Sequence, residues 1–193
     1  MKKLIIIGCL LLSTTLLAQD KISTIQGDLT IHPVLHSTMV MEWNGQTIYT
    51  DPYGGAEAFA GFDAPDLVLI TDIHGDHLHK ETLSALNLSG AELIAPQAVV
   101  EQLGDIKFKK VHTLTNGESA DWQSMGVEAV PMYNLPETDD SRHPKGRGNG
   151  YVLTMGGKRI YISGDTEDIP EMRALDDIDV AFVCMNLPYT MDV

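Results

Sequence analysis

An abrupt boundary at residue 72 restricts the fold more than any other feature. Residues 66–71 (DLVLIT) form a short, almost continuous apolar run. Such a run suits a strand covered on both faces inside a layered sheet. Asp72, His74, Asp76 and His77 follow at once, with Gly75 among them. His74, His77 and His79 are three of the seven histidines of the chain. A buried strand that ends in carboxylates and imidazoles opens onto a cleft, because loops at strand ends present reactive side chains on a rigid scaffold. Gly75 removes the steric bar to a sharp turn, so several donors can be aimed at one place. Imidazole and carboxylate together suit zinc, iron or manganese.

The rest of the chain reads as strands with a few helices. Residues 28–43 read as strand, Asn44-Gly45 as a hairpin turn and residues 46–50 as the returning strand. A helix is expected over 80–88, a strand over 91–95, and a second helix from Pro96 to Leu103. Residues 111–114 and 126–133 read as strands. Residues 134–149 are polar, with two prolines and two glycines, and form a loop long enough to suggest a functional role. A second hairpin spans 151–163 around Gly156-Gly157, and 179–184 reads as a final buried strand. Early hairpins followed by alternating strand and helix predict an α/β (α+β) chain, a mixed sheet layered with helices.

At 193 residues the chain is one ordinary domain. Lys2 and Lys3 precede an apolar run over 4–12, and Leu16-Leu17-Ala18 ends on a small residue. This is the grammar of a secretory signal peptide over residues 1–18, so a periplasmic or secreted protein is expected. The apolar run has nine residues, short of the roughly 20 that span a bilayer. Ile6-Ile7-Gly8-Cys9 resembles a lipidation site, but the apolar stretch before Cys9 is very short for that route. Cleavage after Ala18 leaves Cys184, which reads as a buried free thiol. With 13 basic against 27 acidic residues, the net charge of −14 excludes a general nucleic-acid binder and disfavours anionic membrane surfaces. A small-molecule substrate remains.

The string from Asp72 to His77 resembles the His-x-His-x-Asp-His signature of the metallo-β-lactamase fold, with Asp72 in place of the first histidine. His36-Ser37 followed by 48–52 (IYTDP) resembles the opening hairpin of metal-dependent hydrolases related to L-ascorbate-6-phosphate lactonase. Ser163-Gly164-Asp165-Thr166 resembles the later Gly-Asp-Thr of that family. The resemblance covers residues 28–193 and implies an αββα four-layer sandwich with metals in a cleft between its halves. It assigns Asp72 and His74 to one metal, Asp76 and His77 to the other, Asp165 to the bridge, and Asp76 a catalytic role. The implied cofactor is zinc, one or two ions, with manganese or iron as alternatives that the harder Asp72 carboxylate favours. The implied reaction is attack of a metal-bound hydroxide on an ester, lactone, amide or phosphodiester.

Three departures from that pattern matter. Asp72 is the first. The second is Asn134, which stands where a histidine normally follows a strand such as 127–133. His143 is the available substitute, although as a loop residue it reads rather as solvated or near substrate. The third is a last histidine that follows a final helix in the family; the expectation is that this chain lacks that helix–strand layer and is less soluble for it. His36 is placed near the cleft. His79 reads as a helix-start residue, His32 and His112 as ordinary strand residues, and Asp51 as a turn aspartate supporting the site from behind. Asp139-Asp140 reads as solvated, and the glycines at 146, 148 and 150 make a poor phosphate cradle. Arg142, Lys145 and Arg147 give their loop a positive charge that could orient an anionic substrate. The alternative to a hydrolase is a binding protein of the same fold with an incomplete metal site. Asp72 and Asn134 favour it, whereas Asp76, His77 and Asp165 oppose it.

Overall fold

Residues rich in β-branched and large apolar side chains fold the front of the chain into successive antiparallel strands: β1 (Asp20–Thr24), β2 (Gly27–Leu35), β3 (Thr38–Trp43) and β4 (Gln46–Thr50). The computed structural model describes residues 19–138 and 140–191. Residues 1–18, for which a signal peptide is expected, and Asp139 lie outside the described residues. Asn44 and Gly45 form the expected hairpin turn, both with positive φ (49° and 73°). The run over 28–43 is two strands rather than one, because the chain reverses at His36-Ser37 with His36 at φ 55°. The pair lacks the glycine, proline, asparagine or aspartate that marks a turn most strongly, and serine acts more weakly, so this reversal carries little sequence signal.

The sheet then continues in parallel through β5 (Leu67–Leu69), β6 (Glu92–Ala95) and β7 (Lys110–Thr113), giving the order β1-β2-β3-β4-β5-β6-β7. Two helices make the crossovers, α1 (Lys80–Ala85) and α2 (Gln97–Val100). Both are shorter than their apolar patterns suggest. Leu86 turns extended ahead of Asn87 and Ser89-Gly90, residues that favour turns over helix interiors. Pro96 caps α2 instead of entering it.

The second sheet runs β12-β11-β10-β9-β8, with β8 (Ser119–Trp122), β9 (Met125–Met132), β10 (Gly148–Met155), β11 (Lys158–Ile162) and β12 (Val180–Phe182). A short helix, α3 (Pro170–Arg173), links β11 to its parallel neighbour β12. Residues 179–184 read as a buried strand, but β12 is half exposed. Among the described residues it is an edge strand, paired on one side only.

The inner faces of the sheets share one core, in which Ile31, Met41, Ile48 and Leu69 meet Val127, Tyr151, Leu153 and Ile160. Each such side chain contributes about 1.5–3 kcal/mol by leaving water. Leu83 and Val99 of the helices cover Val40, Tyr49 and Val68 on the outer face of the first sheet. Met172, Leu175 and Ile178 do the same for Val130, Val152 and Tyr161 on the second. At one end the sheets are joined directly: the Asn149 amide donates to the Thr71 carbonyl at 2.9 Å, and Tyr151 Oη donates to the Ile70 carbonyl at 2.8 Å. Gly148 makes this approach feasible, since a Cβ there would sit 2.9 Å from the Thr71 oxygen. Close strand packing, not phosphate binding, accounts for that glycine.

Candidate metal centre

Two groups of donors lie at this joined end. The buried strand β5 leads through Thr71 into a tight turn, in which the His77 and Leu78 amides both donate to the His74 carbonyl, at 2.9 and 2.8 Å. The turn folds Asp72, His74, Asp76 and His77 toward one side. Among the described residues, two sets of three potential ligands have all their donor atoms within 4.8 Å of one another: His36, Asp76 and His77, and Asp72, His74 and His143. Asp165 stands between the sets. Its Oδ2 lies 3.3 Å from His77 Nε2 and 3.3 Å from His143 Nε2. Its backbone follows Gly164, whose φ of +61° and close approach to Met132 Sδ leave no room for a side chain.

Each of these two imidazoles is oriented from behind. His77 Nδ1 lies 2.8 Å from Asp51 Oδ2, and the Asp51 carboxylate also accepts from the Thr71 amide at 2.8 Å and the Thr71 hydroxyl at 2.6 Å. Asp51 takes a left-handed φ of 44°, a conformation that is uncommon outside glycine. The His143 amide donates to Asn134 Oδ1 at 2.8 Å, and His143 Nδ1 lies 3.0 Å from the same oxygen. With Nδ1–H donating backward in both rings, Nε2 is the atom that offers a lone pair once the ring is neutral. His77 Nε2 and His143 Nε2 are both buried and have no hydrogen-bond partner. Buried polar atoms without partners are uncommon and costly, and here two of them converge on one carboxylate oxygen. The donor set fits a metal ion.

The charges agree. Burial would raise the carboxyl of Asp165, but contact with His143 and His77 outweighs it and holds the group far below the usual carboxylate range. Burial would also raise Asp72, yet the contact with His74 and the Arg147 guanidinium hold it down at about 2. His77 is pushed well above its ordinary value, Asp51 and Asp165 overcoming the opposing effect of burial, so a metal ion taking Nε2 would displace a proton from it. Asp72 and Asp165 are therefore anionic at neutral pH.

Several sequence expectations change. His143 is fully buried rather than solvated, because the loop folds back and the Asn134 amide bonds to the His143 carbonyl at 2.9 Å. Asn134 has its oxygen on His143 and its amide nitrogen 3.3 Å from Glu167 and 2.8 Å from the Tyr189 carbonyl, so it orients a donor and is not one. The loop cations are partnered within the fold. Arg147 forks onto Asp72, Lys145 bonds Glu171 at 2.7 Å, and Arg142 lies 4.5 Å over the Tyr189 ring. That pairing leaves little of their charge to orient an anionic substrate. His36 is half exposed, with Nε2 3.1 Å from Asp76 Oδ2. His79 caps α1, its Nδ1 accepting from the Thr82 amide at 3.2 Å. His32 pairs with Glu42 at 3.0 Å and His112 with Glu92 at 2.6 Å, both along strands. Cys184 is half buried and its thiol bonds the Thr166 carbonyl at 3.2 Å.

A cavity of about 320 Å³ opens beside His36, His77 and Asp165, and its wall includes Met39, Phe182 and Asn186. A larger hollow of about 590 Å³, bounded by Leu83, Leu88, Leu103 and Lys107, holds none of the donors.

The profile of the beta-lactamase superfamily domain matches residues 30–193. A UPF0173 metal-dependent hydrolase of Pyrococcus abyssi is 28% identical over 168 residues, which are 82% of this chain and 72% of the relative. One from Anoxybacillus flavithermus is 29% identical over 166 residues, 81% of this chain and 73% of the relative. Among solved structures, a protein of Parabacteroides distasonis named as a metal-dependent hydrolase is 41% identical, with a TM-score of 0.80 over 91% of this chain and 78% of its own. Igni18, a metallo hydrolase of Ignicoccus hospitalis, shares the fold at 24% identity, with a TM-score of 0.68 over 85% of this chain and 73% of its own.

Proposed function

Because the chain belongs to the metallo-β-lactamase superfamily, we propose that it is a metal-dependent hydrolase acting on an ester, lactone, amide or phosphodiester of a small molecule. One observation carries this reading: two buried imidazole nitrogens, each oriented from behind and without a partner, face one ionised carboxylate at 3.3 Å. Zinc suits such a set, and the carboxylates also suit manganese or iron. When bound, the metal lowers the pKa of a coordinated water and neutralises charge developing on the substrate.

The protein supplies the remainder. Asp51 and Asn134 fix the tautomers of His77 and His143, and Asp165 holds the negative charge between them. Asp76 turns Oδ2 to His36 at 3.1 Å and Oδ1 toward His77 at 4.0 Å. It can take a proton at the cavity rim and pass it to His36. Met39 and Phe182 give the cavity an apolar stretch of wall. The likeness of His36-Ser37 and residues 48–52 to the ascorbate-phosphate lactonase branch puts lactones and phosphodiesters first among the candidate substrates. The pattern of residues 1–18 supports action outside the cytoplasm, and a mature N-terminus at Gln19 by mass spectrometry is the expected result.

The test pairs metal analysis with a panel of generic ester, lactone and phosphodiester substrates. Metal bound by the wild type, and hydrolysis abolished in Asp165→Ala, supports the reading. A wild-type chain that takes up no metal and hydrolyses nothing overturns it. The ion pair between Arg147 and Asp72 favours a second reading, a binding protein of this fold, for which metal uptake without turnover is the expected result.

A further inference from the structure

The two donor sets differ in one respect that the family resemblance does not supply. Among the described residues, no lysine or arginine contacts the carboxylates of Asp76 or Asp165, whose ion-pair partners are histidines. Asp72 is different. Arg147 Nε donates to its Oδ1 and Nη2 to its Oδ2, both at 3.2 Å. Nη2 also donates to the Arg142 carbonyl at 2.6 Å, so the guanidinium is tethered to the main chain of its own loop as well. The Asp72 side chain is wholly buried, and its Oδ2 lies 2.6 Å from His74 Nδ1.

We infer that Arg147 is a positioning residue that withdraws Asp72 from metal coordination, so that the centre takes one ion tightly on the His77 side and a second only weakly on the His143 side. This rests on the reading of the two donor sets as a metal centre. A forked guanidinium occupies a lone pair on each carboxylate oxygen and cancels the charge. A divalent cation on Asp72 would also stand beside a fixed positive charge, in surroundings that screen poorly. Once Asp72 is paired, the His143 side offers two neutral imidazoles and a share of Asp165. The His77 side keeps the Asp76 carboxylate, whose partners are histidines and not a fixed cation, as well as its own share. Imidazole is neutral when it ligates, and so is an aspartate–arginine pair. The substitution at residue 72 thus preserves the local charge of the signature while removing a donor.

The backbone builds this arrangement deliberately close. Arg147 immediately precedes β10, and Gly148 lets that strand lie against the Thr71 carbonyl. The arginine is thereby placed beside the residue that follows Thr71, although the two are 75 positions apart.

The experiment is a zinc titration of the chelator-stripped protein against a competing chelator, with cobalt absorption spectra as a second readout of ligand number. For the wild type, two steps are expected, the second weaker by about 10- to 100-fold, the scale on which groups that hold a ligand alter affinity. Arg147→Gln should tighten the second step by about tenfold or more and leave the first unchanged. The double variant Arg147→Gln with Asp72→Asn should lose that gain, because the gain requires a free carboxylate. Circular dichroism checks that each variant is folded. If Arg147→Gln does not fold, Arg147→Lys retains the charge without the fork and should tighten the second step by a smaller factor. Two equal steps in the wild type overturn the inference, as does loss of the second ion in Arg147→Gln or Arg147→Lys, which would make Asp72 a ligand that the arginine supports. Equal steps leave the hydrolase reading intact, whereas the absence of any step overturns that reading and the inference with it.

Discussion

His77 and His143 meet the same carboxylate oxygen at the same distance, 3.3 Å, but they are held by different chemistry. Behind His77 stands a buried carboxylate, Asp51, which belongs to the first sheet's side of the molecule. Behind His143 stands a neutral amide, Asn134, at the end of a strand in the second sheet. Both partners fix the tautomer. Only the carboxylate also makes the imidazole more basic, and so a stronger ligand. Similar geometry therefore predicts unequal affinity under the proposed reading, in the direction that the pairing of Asp72 with Arg147 reinforces.

The most severe way to break the comparison is to remove what the two rings share. Asp165→Ala should abolish tight metal binding on both sides and lower turnover by a factor on the order of 10³ or more, the scale seen when one member of a cooperating catalytic set is lost. Metal analysis and initial rates read both effects, and retained metal at wild-type stoichiometry would count against the shared role. Asp51→Asn comes next. It keeps the size of the side chain but removes its charge, and should weaken the first zinc step by about 10- to 100-fold while the second moves less. Asn134→Ala should act on the other side with a smaller effect, near tenfold on the second step. If it weakened the first step more than Asp51→Asn does, the two sides would have been assigned the wrong way round. His79→Ala is the smallest change. It removes the cap of α1 and should cost about 1 kcal/mol in urea denaturation without altering metal content.

The parts of this centre that were legible in the sequence are those in which neighbouring residues do the work. The apolar run 66–71 becomes the buried strand, and the donors after it share a turn held by bonds from His77 and Leu78 to His74. Asp165 was legible through its Gly-Asp-Thr setting. What was hidden depends on parts of the chain that meet only after folding. Asp51 was read as supporting the site from behind, but not its partner His77, which it reaches across 26 positions; Arg147 reaches Asp72 across 75, through a β10 approach that no local pattern encodes. His143 is a subtler case. It lies only nine residues from Asn134, but its burial requires a polar loop to fold back on itself. Polarity in that loop marked solvent exposure, when its prolines and glycines were shaping a return path. The reversal at His36-Ser37 escaped for a related reason: a histidine with positive φ is rare enough that composition does not suggest it.

The bond from the Asn149 amide to the Thr71 carbonyl has a consequence for motion. It joins the two sheets by main chain, at the floor of the cleft, one residue before Asp72. Swinging one sheet away from the other as a rigid body would break it and bare the core that both sheets share. Such a movement belongs with global unfolding rather than with local breathing, so the proton on the Asn149 amide should be among the slowest in the molecule to exchange with deuterated solvent. Admission of a substrate then falls to the loops at the cavity mouth, while the floor that carries the donors stays still.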